Sequence, residues 1–145
     1  VDTVTSGTAR AEDARAILET PAELAQMVAM VEEGKYVEAI REFYAEDASM
    51  QENGEPPRAG RDRLIDHEWR MLEVHKEART LPGSSFVLDG DRVVIHWTFV
   101  FTRRDGTSFR MEELAHQRWR GDRIVEERFY YDPAQLRPSS STSAA

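Results

Sequence analysis

A histidine and a glutamate that face each other across neighbouring strands can work as an acid-base pair. The carboxylate holds one ring nitrogen while the other nitrogen takes or gives a proton. His116 and Glu127 stand in that relation if the chain turns in two residues at Gly121-Asp122. A structural cross-strand ion pair is the other reading of the same spacing. Glu52, just before Asn53-Gly54, is a second candidate: a carboxyl shielded from water has a raised pKa and serves as a general base. A solvated loop acid is its alternative. Glu112 is a third carboxylate of the same kind, and His67 and Glu68 stand side by side in a helical stretch. His67 and His75 are eight residues apart, too far for the i, i+4 pairing of a helical zinc motif, so no metal is expected. A metal held by His67, His116 and Glu52 would require convergence that spacing does not indicate. No phosphate-cradling Gly loop, nucleophile elbow or Ser-His-Asp order occurs, and no cofactor is expected.

These groups must be carried by elements. Residues 1–19 have few large apolar side chains and read as a flexible arm. Thr20, Pro21 and Glu23 form a T-x-x-E capping box that starts a helix ending near Gly34, with Leu24, Met27, Val28 and Val31 on its buried stripe. A second helix, 35–45, repeats Tyr36, Val37, Ile40, Phe43 and Tyr44 at helical spacing. Asn53-Gly54 and Pro56-Pro57 then break the pattern, leaving 49–52 as a short strand or an extended lip beside a flexible turn. A third helix is expected over 61–78, with either Leu64, Glu68, Met71, Leu72 and His75 or Ile65, Trp69 and Leu72 facing inward.

From Ser84 the period changes to two, and Asp89-Gly90, Asp105-Gly106 and Gly121-Asp122 punctuate an antiparallel meander. Two-residue loops pair Phe99 with Glu112, Trp97 with Leu114, Ile95 with His116, His116 with Glu127 and Leu114 with Phe129. One face then collects Trp97, Phe99, Leu114, Phe129 and Tyr131 as a ligand-stacking surface, with Glu112, His116 and Glu127 among them. The other face holds His96, Thr98, Glu113, Gln117, Glu126 and Arg128, and a one-residue slip exchanges the two. The end of the chain, 136–145, reads as a disordered tail, which leaves 20–135 as a single domain.

The 145 residues carry 19 Lys and Arg against 27 Asp and Glu, a net charge of -8 that disfavours a phosphate backbone, so no nucleic-acid partner is expected. No apolar run approaches the roughly 20 residues of a membrane span, and no signal-peptide stretch opens the chain, so the expectation is a cytoplasmic protein without a membrane partner. The absence of cysteine excludes disulfides and thiol chemistry.

The segments FYAEDASMQENGEPPRAGRDRL, GDRVVIHWTF and GDRIVEERFYYDP resemble the nuclear transport factor 2-like superfamily, in particular its SnoaL-like branch, whose relatives include polyketide cyclases, ketosteroid isomerase and limonene epoxide hydrolase. The resemblance covers about 21–133. It implies an α+β cone, a cystatin-like roll of three N-terminal helices on a curved antiparallel sheet around an apolar pocket. It also implies a homodimer and a small apolar or aromatic ligand. By the same resemblance Glu52 takes the place of the isomerase base, His67 that of a pocket-lining aromatic, and Val28 that of its tyrosine donor. Against the epoxide hydrolase, Met50, Glu52, Trp97, Phe99 and Phe129 replace polar catalytic groups, which argues against epoxide hydrolysis. The expectation is a cofactor-independent acid-base enzyme of isomerase, cyclase or lyase type, with Glu52 as base and His116, oriented by Glu127, as donor. The alternative is a binding or dimerisation module of the same fold.

Overall fold

Helix α1, Ala22–Glu32, stops where Gly34 takes φ +82°. The Lys35 N–H returns to the Met30 carbonyl at 2.9 Å and the Gly34 N–H to Val31 at 3.0 Å, the paired bonds that close a helix on a left-handed glycine. This is a computed structural model, and it describes residues 21–137. Thr20 of the capping box, the arm 1–19 and residues 138–145 lie outside the described residues. Leu136 and Arg137, expected in the tail, are described: Leu136 ends a short 3-10 turn, Pro133–Leu136, and its carbonyl accepts from Arg103 at 3.0 Å.

Helix α2, Tyr36–Phe43, buries Tyr36, Val37, Ile40 and Phe43 on the stripe expected of it, then passes directly into strand β1, Tyr44–Glu52. Sequence spacing placed Tyr44 and Ala45 on the helix. Pairing with a strand far along the chain overrides that local preference. Strand β2, Arg58–Ala59, pairs back on β1 and leads into α3, Arg61–Val74. The helices are therefore not three in succession ahead of the sheet, because β1 and β2 come between α2 and α3. Helix α3 is four residues shorter than the expected 61–78. Nothing in HKEART breaks a helix, yet β3, His75–Thr80, pairs along the outer half of β5.

Strands β4, Ser85–Asp89, β5, Arg92–Arg103, β6, Ser108–Arg120, and β7, Arg123–Tyr130, form the expected meander. The sheet order is β2-β1-β7-β6-β5-β3, with β4 also paired to β5. Every pairing is antiparallel except β1 with β7, which is parallel.

The register differs from the expected one by a single residue. Arg103 N–H bonds the Thr107 carbonyl at 2.8 Å, and Gly106 sits at φ +90°, so the loop has three residues, 104–106, with the left-handed residue that such loops require. Phe99 consequently faces Met111, Trp97 faces Glu113 and Ile95 faces Ala115. At the last hairpin the two-residue turn does form, and Arg120 faces Arg123. Beyond it Trp119 pairs with Ile124 and Arg118 with Glu126, which leaves Val125 as an extra residue. This bulge turns both Ile124 and Val125 into the core and shifts every later pair. Gln117, not His116, ends up opposite Glu127.

Candidate functional site

In β5 and β6, and in β7 from the bulge at Val125 to Phe129, the residues on the concave face are odd-numbered, because side chains alternate across a strand. Strand β5 contributes an aromatic row, Trp97, Phe99 and Phe101, with ring centroids 6.1 and 5.9 Å apart. Tyr36 of α2 closes on Phe99 edge-on at 6.2 Å. Behind this wall the sheet packs Ile95, Ala115 and Ile124 against Leu24, Met27 and Leu64 of the helices. In front of it lies a cavity of about 410 Å³, within the usual range for a small-molecule site.

Among the described residues, the walls of that cavity carry four carboxyl groups, Glu52, Glu68, Glu113 and Glu127. Each arrives by its own element. Glu113 lies opposite Trp97 on the inner face of β6 and is only 7% exposed. Glu127 on β7 is 3% exposed, and Gln117 Nε2 donates to its Oε2 at 2.6 Å while the Tyr44 hydroxyl donates to its Oε1. Glu68 comes from α3, on the stripe that also buries Leu64 and turns Met71 toward the cavity. That is the first of the two stripes the sequence left open; on the second, Trp69 is exposed.

Burial shifts these acids upward. Glu127 is pushed to about 7 by desolvation, against the two hydrogen bonds that favour its ionised form. Glu113 is pushed to about 8, by burial first and then by the charges of Glu127, Glu52 and Glu68. Glu68 reaches about 7 through burial and the charges of Glu127 and Glu52, opposed by Arg58. Burial and the adjacent Glu127 carboxylate raise Tyr44 well above the usual phenol value.

Glu52 ends β1 opposite Phe129, and its position is stitched rather than loose. Asn53 adopts φ +48°, its N–H bonds the Phe129 carbonyl at 2.8 Å and its Oδ1 accepts from the Tyr131 N–H at 3.0 Å. The turn that read as flexible is thus tied to β7. Arg58 Nη2 approaches Glu52 Oε1 at 3.5 Å and His67 Nε2 approaches the same oxygen at 3.9 Å. Burial, then the Arg58 charge, lower the His67 pKa. Buried Arg58 Nε has no partner among the described residues.

Of the residues singled out from sequence, Glu52, Glu127, His67, Trp97, Phe99, Phe129 and Tyr131 line the cavity, whereas His116 and Leu114 do not. Both stand on the convex face, where His116 faces Arg128 and Leu114 is 45% exposed. The His116–Glu127 pair is not formed, and the His67, His116 and Glu52 set is not assembled. The three-residue loop and the Val125 bulge are the physical reasons. Glu112 is likewise exposed, paired to Arg110 at 3.2 Å. Val28 packs on the core, and α1 presents Met27 and Val31 to the cavity instead. Sequence reading missed Glu113, Gln117, Tyr44 and Arg58. The alternation of Glu113 and Gln117 with Leu114 and His116 was visible, but not which set faced inward.

No curated protein matches the chain. Among solved structures it is similar to an NTF2-like protein of unknown function from Burkholderia pseudomallei, 20% identical with TM-score 0.67, over 80% of this chain and 95% of that one. A protein from Catenulispora acidiphila with a ketosteroid isomerase-like fold, in complex with trimethylamine, is 18% identical with TM-score 0.67, over 81% and 91%. TerC, co-crystallised with polyporic acid, is 17% identical with TM-score 0.67, over 79% and 95%. These likenesses give the fold as α+β and NTF2-like, three helices against a curled, mostly antiparallel half-barrel. The sequence model of the SnoaL-like domain matches residues 24–127, most of the length described, and by that match the chain belongs to the SnoaL-like domain family.

Proposed function

We propose that the cavity binds a small, largely apolar or aromatic molecule and moves a proton on it, as an isomerase, cyclase or lyase that needs no cofactor. The observation that carries this reading is the set of three acids, Glu68, Glu113 and Glu127, titrating between about 7 and about 8 against an aromatic wall. An acid-base catalyst works best with a pKa near the working pH. Glu113, highest of the three, keeps its proton at neutrality and serves as donor. Glu127 is the base, because Tyr44 and Gln117 orient it and favour its charge. Glu52, reaching both cavity and water, exchanges the proton with solvent beside His67. Fold relatives crystallised with polyporic acid and with trimethylamine agree with a small ligand, and several relatives are named as candidate polyketide cyclases.

The test is native and then denaturing mass spectrometry of gently purified protein, to identify a co-purifying compound, followed by incubation of that compound in D₂O with the wild type and with Glu127→Gln. The expected result is carbon-bound deuterium with the wild type alone. A compound that binds but neither exchanges nor converts would establish a binding module instead. The same native mass tests a homodimer, which is suggested by Leu114 and Tyr130, paired on the convex face and 45% and 43% exposed.

A further inference from the structure

The deep half of the cavity has more carboxyl groups than partners. Glu113 lies buried against Trp97 with no hydrogen bond or ion pair to its side chain among the described residues, although it lines open space. Glu68, partly buried, likewise has no partner among the described residues, where the side chains bonded to Glu127, Tyr44 and Gln117, are neutral. The nearby arginines bond to other groups, apart from the buried Arg58 Nε, which has no partner among the described residues. Arg58 pairs with Glu52 at the mouth, and Arg103 lies over the Phe109 ring at 4.4 Å and donates to Leu136. The carboxyls of Glu113 and the partly buried Glu68 open on the cavity, so whatever fills it takes the place of water against them, and an acid that loses water without gaining a donor or counter-charge is costly. Beside Glu113 on the same concave face runs the row of Trp97, Phe99 and Phe101, and aromatic rings attract a cation.

We infer that the ligand of this cavity carries a positively charged nitrogen, a protonated or quaternary amine on a small apolar body, seated against the Glu68, Glu113 and Glu127 carboxyls and the adjoining Trp97–Phe99–Phe101 row. This rests on the reading of the cavity as the ligand site and names the class of molecule that site takes. Once pH rises past about 8 and the three carboxyls ionise, a neutral molecule leaves them without counter-charge, and an anion meets like charge everywhere except beside Arg58. A cation supplies the missing counter-charge to all three acids at once, in a space where water screens the attraction poorly. The upward shift of each acid has the same origin, since each is raised by burial and two of them by their neighbours' charges.

The experiment uses two probes of one shape, choline and 3,3-dimethylbutan-1-ol, which differ in a single charge. Binding to the full chain is followed by calorimetry at pH 8.5. The expected result is choline binding about tenfold or more tighter than the alcohol, a difference of about 1.4 kcal/mol or more. In Glu113→Gln that preference should fall severalfold, and Glu68→Gln provides the same comparison should Glu113→Gln fail to fold. Equal affinity for the two probes, or a preference that both variants retain, overturns the inference while leaving the cavity as a ligand site. Binding of neither probe at high millimolar concentration overturns the inference and counts against the site itself.

Discussion

The hydroxyl of Tyr44, first residue of β1, donates to the carboxylate of Glu127, 83 positions later on β7. The bond ties the entry of one strand to the inner face of its parallel neighbour and leaves Glu127 ionised more readily than burial alone would allow. Tyr44→Phe should therefore raise the Glu127 midpoint above about 7. It should also cost about 1–3 kcal/mol in stability, the usual penalty for a buried acceptor that loses its donor. Carbon-detected NMR titration of labelled glutamate carboxyls and urea unfolding measure the two effects. A Glu127 midpoint that stayed put or fell would show that the hydroxyl does not favour the charge.

Stability should fall as pH rises. Glu68, Glu113 and Glu127 titrate near 7, 8 and 7 in the folded protein against 4.5 as the ordinary value. Below 4.5 both states hold these protons and the native state has its full advantage. Between about 5 and 8 the unfolded chain has released them while the folded one retains them, so stability is lost across that window and levels off above it. At about 1.4 kcal/mol per unit, the rise of Glu127 from 4.5 to about 7 corresponds to a loss on the order of 3 kcal/mol. Urea midpoints at pH 5, 6.5 and 8 test this, and Glu113→Gln should flatten the slope. A protein more stable at pH 8 than at pH 5 would contradict it.

Asn53 occupies left-handed backbone and also gives its side chain to Tyr131. Asn53→Gly and Asn53→Ala both lose that bond, but only alanine adds the steric cost of positive φ, roughly 1 kcal/mol. The alanine variant should have the lower melting temperature, and both should loosen the mouth around Glu52. Equal melting temperatures would mean that this turn relaxes out of the left-handed region.

His116→Ala separates the two strand registers by experiment. On the convex face it touches neither cavity nor Glu127, so ligand affinity and turnover should match the wild type, while Trp97→Ala weakens binding. A loss of activity in His116→Ala would restore the one-residue alternative register.

Leu64 is 1% exposed beneath α3, the helix that brings Glu68 to the cavity. Leu64→Ala should destabilise by about 2–5 kcal/mol with an unchanged denaturant slope. Calorimetric melting and urea unfolding check both.

Local physics made much of this protein legible. The helix ending at Gly34, the α2 stripe and the alternation of Val93, Ile95, Trp97, Phe99 and Phe101 follow from spacing alone, because helices and strands bury faces with fixed periods. The sequence resemblance also reached the fold and family, and brought Glu52 and His67 forward. What it could not carry was register. On β6 one face offers Glu112, Leu114 and His116 and the other Glu113, Ala115 and Gln117, and neither is apolar enough to decide which turns inward. A three-residue loop and one extra residue at Val125 decide it, and they make Glu113 and Gln117 members of the site in place of His116. The parallel pairing of β1 with β7 and the strand at His75–Thr80 also come from contacts between distant segments. No local propensity encodes those contacts, so only the tertiary structure could bring four carboxyl groups from α3, β1, β6 and β7 to one cavity.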